Sequence, residues 1–408
     1  LTVNQIQASV LDVDTQLVSY QLGDERSFAW VISKDRIDSF VLAKRAEIEA
    51  AVRTFVSLVT NKTPDGSTPD AVRRASIHIS DMILKPLASQ LTAKRLLIVP
   101  DGTLFYLPFG ALPAQGTPTQ LKSHAPPHYF IEQFELTLEP SVSTLVVLRD
   151  VSQHRLPAPQ TAIVLANPVF SATDDRVKKV NPDTKNQFTE KIEAVQLRSF
   201  QEERLLSAVG RDWYPIPGTS VQAQIIQQLA GPTRCRVIEG FQASKQFLTQ
   251  TDLTPFRIVH FATHGRFDST RPEFSGLVLS LVDKQGQALE GYLLSREIYN
   301  LKLNAELVVL SACESGLGKQ LKGEGVIGLT RAFMYAGSPR VISSLWSVSD
   351  KSTVELMKCF YQHLLSKTNP LSPAKALRQA QIEMIHGKVP KWRVPFHWAA
   401  FQLQGEFR

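Results

Sequence analysis

Cysteine is scarce in this sequence. Cys235, Cys313 and Cys359 are the only cysteines among 408 residues, and they are widely spaced. An odd, scattered set of this kind matches neither a disulfide framework nor the paired spacing of a structural metal site. We therefore expect no metal and no other cofactor. We also expect a reducing compartment, the cytoplasm, as the location.

Long apolar runs are missing as well. Apolar stretches such as residues 162–166 and Leu307–Leu310 are far shorter than the ~20 residues that cross a bilayer, so no membrane partner is expected. The chain opens at Leu1 and has no basic-then-apolar leader, so no secretory precursor is expected. We interpret it as a fragment of a longer protein.

Charge of either sign is not concentrated. Lys and Arg number 45 against 38 Asp and Glu, a formal net charge of +7, and the basic residues form pairs such as Arg73-Arg74 rather than blocks. Direct contact with nucleic acid is therefore not expected. Hydrophobic residues make up 43% of the chain, which excludes global disorder and predicts two or three folded domains.

The first part of the chain has two predicted units. Strands over 16–22, 27–33 and 37–43, separated by turn residues, predict a small antiparallel sheet, and a helix follows over 44–60. Residues 61–155 predict a second unit with a helix over 71–90 and a buried strand over 95–99. A polar stretch with two prolines over 151–160 marks the boundary, so the predicted domains are 1–60, 61–155 and 156–408.

Beyond that boundary the pattern alternates between strands and helices. Such alternation predicts an α/β fold with a mostly parallel sheet flanked by helices. A hairpin over 276–282 and 288–294 interrupts it, and residues 398–402 predict a last edge strand. The predicted parallel strands are 161–166, 234–238, 257–262, 306–312 and 340–345, and the helices are 190–208, 221–229, 244–251, 324–336 and 352–366.

Two residues with nucleophile and base chemistry follow successive strands. His264-Gly265 follows the third parallel strand and Cys313 follows the fourth, where α/β sheets bind ligands. Strands lie ~4.8 Å apart, so an imidazole and a thiol on neighbouring strands can form a catalytic pair. The backbone N–H groups of Gly265 and Cys313 would then stabilise an oxyanion. The alternative is a packed cysteine and a simple turn. His260 is expected to be a core residue.

Several motifs closely resemble the CHAT family of caspase- and separase-like modules. The motifs are VHFATHG (259–265), VVLSACESG (308–316), GEGVIGLTRAFMYAG (323–337), VISSLWSVSD (341–350) and HWAAFQLQG (397–405). The resemblance is strong over 255–405 and weaker over 95–112, where the sequence is similar to the family's N-terminal lobe. It implies a caspase-like six-stranded sheet of order 2-1-3-4-5-6 with the last strand antiparallel, preceded by a degenerate caspase-like lobe.

The resemblance also implies a function, that of a cysteine endopeptidase acting on a protein substrate. His264 would be the general base and Cys313 the nucleophile. Such modules commonly follow tetratricopeptide repeats, which this chain lacks, so we expect regulation by a partner protein or by upstream repeats. The alternative is a non-catalytic caspase-like scaffold that binds a partner.

Two acidic residues are candidates for substrate binding. Asp350 follows the fifth strand, where separase and metacaspase relatives use an acid to bind a basic side chain; its alternative role is the N-cap of the following helix. Glu314 follows the candidate nucleophile and would either reach the substrate or bond within its own loop.

Overall fold

Strands that are apolar on both faces form the centre of the molecule. A computed structural model describes residues 1–60, 69–114, 116, 128–153, 155–177, 213–266, 274–311, 325–347 and 349–407. The strands are β1 Thr15–Gln21, β2 Ser27–Ile32, β3 Ile37–Leu42, β4 Arg95–Val99, β5 Glu135–Leu138, β6 Gln160–Ala166, β7 Cys235–Glu239, β8 Phe256–Ala262, β9 His264–Arg266, β10 Gly276–Val278, β11 Tyr292–Leu294, β12 Leu307–Leu310, β13 Arg340–Ser344 and β14 Phe401–Gly405.

Helices connect and cover these strands. They are α1 Val3–Ser9, α2 Arg45–Thr60, α3 Pro69–Ile83, α4 Phe130–Gln133, α5 Val142–Gln153, α6 Gly218–Ala230, α7 Lys245–Gln250, α8 Ser295–Ile298, α9 Gly325–Tyr335, α10 Asp350–Leu364, α11 Pro373–His386 and α12 Pro395–Trp398. The predicted helix over 190–208 lies outside the described residues. The predicted helix over 71–90 ends earlier, at Ile83, and a short 3-10 helix containing Pro86 follows, because proline removes a helix hydrogen bond.

The predicted six-stranded unit is confirmed. Strands β7, β6, β8, β12, β13 and β14 are neighbours in that order, which is 2-1-3-4-5-6 when the six strands are numbered along the chain. The pairs β7·β6, β6·β8, β8·β12 and β12·β13 are parallel, and β14 runs antiparallel to β13. The five predicted parallel strands all occur, with ends shifted by at most two residues.

The N-terminal strands belong to the same sheet. β1, β2 and β3 are antiparallel neighbours as predicted, but β1 also pairs in parallel with β4, and β4 pairs with β5. β5 then meets β14 through Leu138 and Gln404, which gives one sheet of 11 strands. The domain boundaries at 60 and 155 stay a prediction, since the sheet passes through all three predicted units.

Helices cover both faces of the parallel strands. Alternate side chains of β8 and β12 point to opposite faces, so Ile258 and Val309 join one hydrophobic cluster while Val259 and Val308 join another. All four side chains are at most 2% exposed. This explains why these strands are nearly continuous apolar runs in the sequence.

The predicted hairpin is confirmed as part of a second, three-stranded sheet. β10 pairs antiparallel with β11, with Leu277 opposite Leu293, and Val282 and Ala288 form a further bridge. β9 is the third strand of this sheet and directly follows β8 after Thr263. The chain therefore passes from the large sheet into the small one at the site of interest.

A buried cluster of charged residues joins the end of the chain to helices α1 and α5. Glu406 binds Arg149 through both carboxylate oxygens, at 2.6 and 3.2 Å, and Arg149 also donates to the carbonyl of Ser9 at 2.7 Å. The nearby Glu139 is fully buried, and neither of its carboxylate oxygens has a hydrogen-bond partner in the described part of the chain. Burial, and then the charge of Glu406, raise the pKa of Glu139 well above its ordinary value, while Arg149 opposes this.

Glu139 should therefore make the folded state less stable at high pH. A raised carboxyl pKa means that the folded chain keeps a proton that the unfolded chain releases, so stability falls as pH rises above the unfolded pKa. We expect Glu139→Gln to match the parent in free energy of unfolding at about pH 4 and to exceed it by about 1–3 kcal/mol at about pH 8. Urea denaturation at both pH values measures this, and equal stability at the higher pH would contradict it.

Candidate active site

The carboxyl ends of the parallel strands meet at one edge of the large sheet. β8 and β12 are direct neighbours, with Leu310 opposite Phe261. His264 follows β8, and Asp350 follows β13, at this same edge. Cys313 and Glu314 lie outside the described residues. The described chain ahead of them ends at the buried Ser311, whose hydroxyl donates to the Gln222 side chain at 3.1 Å.

His264 is the first residue of β9 and lies opposite Val278 of β10. Its ring is half-buried, and its Nε2 lies 2.8 Å from the backbone carbonyl oxygen of Tyr214. A carbonyl only accepts hydrogen bonds, so Nε2 carries the proton in this contact. The neutral ring therefore has its lone pair on Nδ1, the nitrogen that can act as a base.

The environment of His264 favours the neutral ring. Burial lowers the pKa of His264 below its ordinary value, and the bond to Tyr214 and the negative charge of Asp350 oppose this shift. A lowered pKa keeps the imidazole unprotonated at neutral pH, which a general base requires.

Two aromatic side chains enclose the His264 ring. The ring centroid of Phe170 is 4.9 Å away and that of Trp213 is 5.1 Å away, both in tilted orientations. The Trp213 indole N–H donates to the Tyr292 hydroxyl at 3.1 Å. Sequence reasoning missed these three residues, because they belong to none of the motifs and lie far from His264 along the chain.

Gly265 follows His264 within β9 and lies opposite Leu277. The residue is buried. Its predicted part in an oxyanion hole involves Cys313 as well, and stays a prediction.

Asp350 is the first residue of α10, and the N-cap position belongs to Ser349. The helix thus begins two residues before the predicted start, and the N-cap role considered for Asp350 does not occur. Its carboxylate instead accepts the backbone N–H of Gly218, at the start of α6, at 2.8 Å. A side chain on Gly218 would overlap that carboxylate.

Residues 213–218, which we call the strap, therefore link the two ionisable residues. The Tyr214 carbonyl contacts His264, and the Gly218 N–H contacts Asp350. The negative charge of Asp350 also raises the pKa of His264 through space.

Cys235, Cys359 and His260 are unsuited to catalysis. Cys235 and Cys359 are buried, and burial is the main cause that raises their pKa values to about 11 and about 12. His260 is fully buried, and its Nδ1 lies 2.8 Å from the Tyr361 hydroxyl. Burial lowers the pKa of His260 to about 3, which confirms the prediction of a core residue.

No helix in the described part of the chain combines the length and the apolar character needed to cross a membrane.

Comparison with known families identifies one that matches most of the chain. The profile of the CHAT domain matches residues 73–406. Human tetratricopeptide repeat protein 28 is 24% identical over 399 residues, which covers 87% of this chain and 14% of the human protein. The chain thus spans about one seventh of the length of that relative.

Two solved structures align with most of the chain. In the Saccharomyces cerevisiae separase–securin complex, the matching chain has 12% identity and a TM-score of 0.47, and the match covers 99% of this chain and 31% of that one. The Arg-specific cysteine proteinase gingipain R has 12% identity and a TM-score of 0.40, over 89% of this chain and 74% of the other.

The contact between Gly218 and Asp350 gives a test of the strap. We expect Gly218→Ala to destabilise the parent chain by about 0.5–1.5 kcal/mol, because the added methyl displaces the Asp350 carboxylate, which then loses its hydrogen bond from the Gly218 N–H. In an Asp350→Ala background the same change should lower the free energy of unfolding less, since no carboxylate is present for the methyl to displace. Chemical denaturation of the four chains measures the coupling. An equal loss in both backgrounds would show that the carboxylate does not lie on Gly218.

Proposed function

Because this chain belongs to the CHAT domain family, we propose that it is a cysteine endopeptidase in which His264 is the general base and Cys313 the nucleophile. The observation that carries the proposal is the state of His264. Its Nε2 proton is held by the Tyr214 carbonyl, its pKa is lowered, and its Nδ1 lone pair is left for a substrate or a thiol.

The strand register supports the pairing of these two residues. Phe261 lies opposite Leu310, and His264 and Cys313 each follow these paired residues by three positions. Neighbouring strands are ~4.8 Å apart, so two chains that leave adjacent strands after equal lengths bring short side chains within reach of one another. We infer that the thiol of Cys313 meets Nδ1 of His264.

The proposed reaction is acyl transfer through a thioester. Nδ1 of His264 takes the proton of the Cys313 thiol, and the sulfur attacks the carbonyl carbon of the scissile peptide bond. The backbone N–H groups of Gly265 and Cys313 stabilise the oxyanion. The protonated His264 gives its proton to the leaving amine as the C–N bond breaks. Water, deprotonated by His264, then attacks the thioester and releases the acid and the thiol.

Asp350 and Glu314 are the proposed substrate-binding residues. One Asp350 oxygen accepts the Gly218 N–H, and the other is proposed to bind a basic side chain of the substrate at the same edge as His264. Glu314 would add a second carboxylate on the nucleophile's side. A charge-assisted bond of this kind would select Lys or Arg before the cut.

The setting of the activity is also inferred. The free, buried Cys235 and Cys359 fit a reducing compartment, and we propose the cytoplasm. Since the human relative is named for tetratricopeptide repeats and is much longer, we propose that such repeats or a partner protein regulate the protease.

Alkylation with iodoacetamide tests the activated thiol. We expect Cys313 to react at neutral pH much faster than Cys235 and Cys359, which are buried and have raised pKa values. His264→Ala should slow the reaction of Cys313 about tenfold or more, because the base is lost. Peptide mass spectrometry after timed labelling measures each site.

The matched control is His386→Ala, which removes a surface histidine bonded to Glu132. This change should leave the alkylation rate of Cys313 unaltered. A Cys313 rate that is the same in the parent and in His264→Ala would contradict the dyad and favour the non-catalytic scaffold.

A library of synthetic peptides tests cleavage and specificity. We expect cuts after Lys or Arg, with no cuts by Cys313→Ala or His264→Ala. Asp350→Asn should reduce the preference for Arg over Leu about tenfold or more, because a charged partner becomes neutral. Undiminished cleavage by Cys313→Ala would refute the mechanism. If the parent cleaves peptides with and without Arg equally well, the acidic substrate pocket is refuted, but the dyad is not.

A further inference from the structure

A row of side chains runs across the three-stranded sheet beside His264. His264 of β9 lies opposite Val278 of β10, and Val278 lies opposite Tyr292 of β11. Residues directly opposite one another in antiparallel strands point to the same face. His264 and Tyr292 therefore stand on one face, separated by two strand spacings of ~4.8 Å each.

Trp213 spans the gap between them. Its indole N–H donates to the Tyr292 hydroxyl at 3.1 Å, and its ring lies against the His264 ring with centroids 5.1 Å apart. Trp213 is also the first residue of the strap, directly before Tyr214, whose carbonyl binds Nε2 of His264. Trp213 therefore packs against the imidazole ring and also holds in place the neighbouring Tyr214, whose carbonyl binds Nε2.

A single hydrogen bond leaves a ring free to rotate about the donor–acceptor line. Rings packed on the imidazole remove that freedom, and two do so here: Trp213, and the buried Phe170 at 4.9 Å. Phe170 packs in the same cluster as Tyr292, with Trp213 against it. Val278, Tyr292 and Leu294 of the three-stranded sheet belong to this cluster, so Phe170 and Trp213 pack on the sheet that carries His264.

We propose that Trp213, held by Tyr292, is a positioning residue that fixes the orientation and the Nε2–H tautomer of His264; the catalytic meaning of this rests on the proposed function. In this role Trp213 touches neither the substrate nor the reacting atoms. It acts through His264, by excluding water from the ring and by holding the Tyr214 carbonyl on Nε2.

Trp213, at one end of the strap, and Asp350, which binds the other end at Gly218, act on His264 in opposite directions. Trp213 contributes burial, which lowers the pKa of the imidazole, and Asp350 contributes a negative charge, which raises it. Asp350 is the charged group whose electrostatic effect on the ring is described above. The strap contributes the Tyr214 carbonyl and Trp213, the three-stranded sheet contributes Tyr292, and the segment after β6 contributes Phe170; none of these groups is charged. Removing Trp213 and neutralising Asp350 should therefore shift the titration with opposite signs.

The experiment is an NMR titration of the His264 ring in the full chain, labelled with ¹⁵N-histidine and carrying Cys313→Ala so that no thiol titrates nearby. His264→Ala in the same background assigns the signals. We expect Trp213→Ala to raise the pKa of His264 toward its ordinary value and to increase the Nδ1–H tautomer, which ¹⁵N shifts distinguish. Asp350→Asn should lower the pKa.

Two milder variants keep the test decisive if Trp213→Ala does not fold. Tyr292→Phe and Trp213→Phe both remove the hydrogen bond between the two side chains and keep an aromatic ring in place. Each should move the tautomer ratio of His264 in the direction expected of Trp213→Ala, but less. An unchanged pKa and an unchanged tautomer ratio in folded variants would overturn the proposal.

The ring titration does not require catalysis, so it separates this inference from the proposed function. If the chain cleaves peptides, Trp213→Ala with Cys313 restored should lower kcat about tenfold or more with little change in KM, because general-base efficiency depends on the placement of the base. The acid limb of its pH profile should move to higher pH with the pKa of His264. A loss confined to KM would instead make Trp213 a substrate contact and overturn the positioning role.

Discussion

The parallel pairing of β8 with β12 is the constraint on which the site depends. With Leu310 opposite Phe261, the two chains leave the large sheet at the same edge and at the same level. The pairing is held from both sides, since apolar residues of these strands pack into a separate cluster on each face. A slip of one residue would turn both sets of side chains to the wrong face, so the burial of the strands fixes the level at which His264 lies.

The parallel core could be predicted from the sequence, because each of its strands is a short apolar run between turn residues. The joining of strands β1 to β5 to that core could not be predicted, since it passes through the Leu138–Gln404 pair and no local pattern marks a contact between such distant strands. Helix α11 was missed by sequence analysis despite a signal. Ser372 caps α11 and Pro373 occupies its first turn, a combination typical of helix starts. The apolar spacing alone predicted that helix α3 continues to residue 90, but Pro86 stops the regular helix before that point.

The candidate site was predictable to the extent that it depends on residue type. His264 was found because an imidazole with a glycine beside it follows a buried strand. The group that fixes its tautomer is the carbonyl of Tyr214, and every residue has a carbonyl, so the sequence holds no mark of it. Trp213 and Tyr292 meet only because of the register of the three-stranded sheet. Asp350 was placed at the correct edge, but its contact with Gly218 depends on how α6 and α10 pack.

The position of β14 has a consequence for how this protein can associate. The antiparallel strand that closes the six-stranded unit pairs with β13 along its length on one side and meets β5 through the Leu138–Gln404 pair on the other, so it is an inner strand of the large sheet. In the described part of the chain, the large sheet instead terminates at β3 and β7. A strand of a second molecule could therefore extend this sheet only by pairing with one of these two edge strands. At β3, the outward Ile37 and Val41 are 45% and 64% exposed, so an added strand would find an apolar surface beside the open hydrogen-bonding groups.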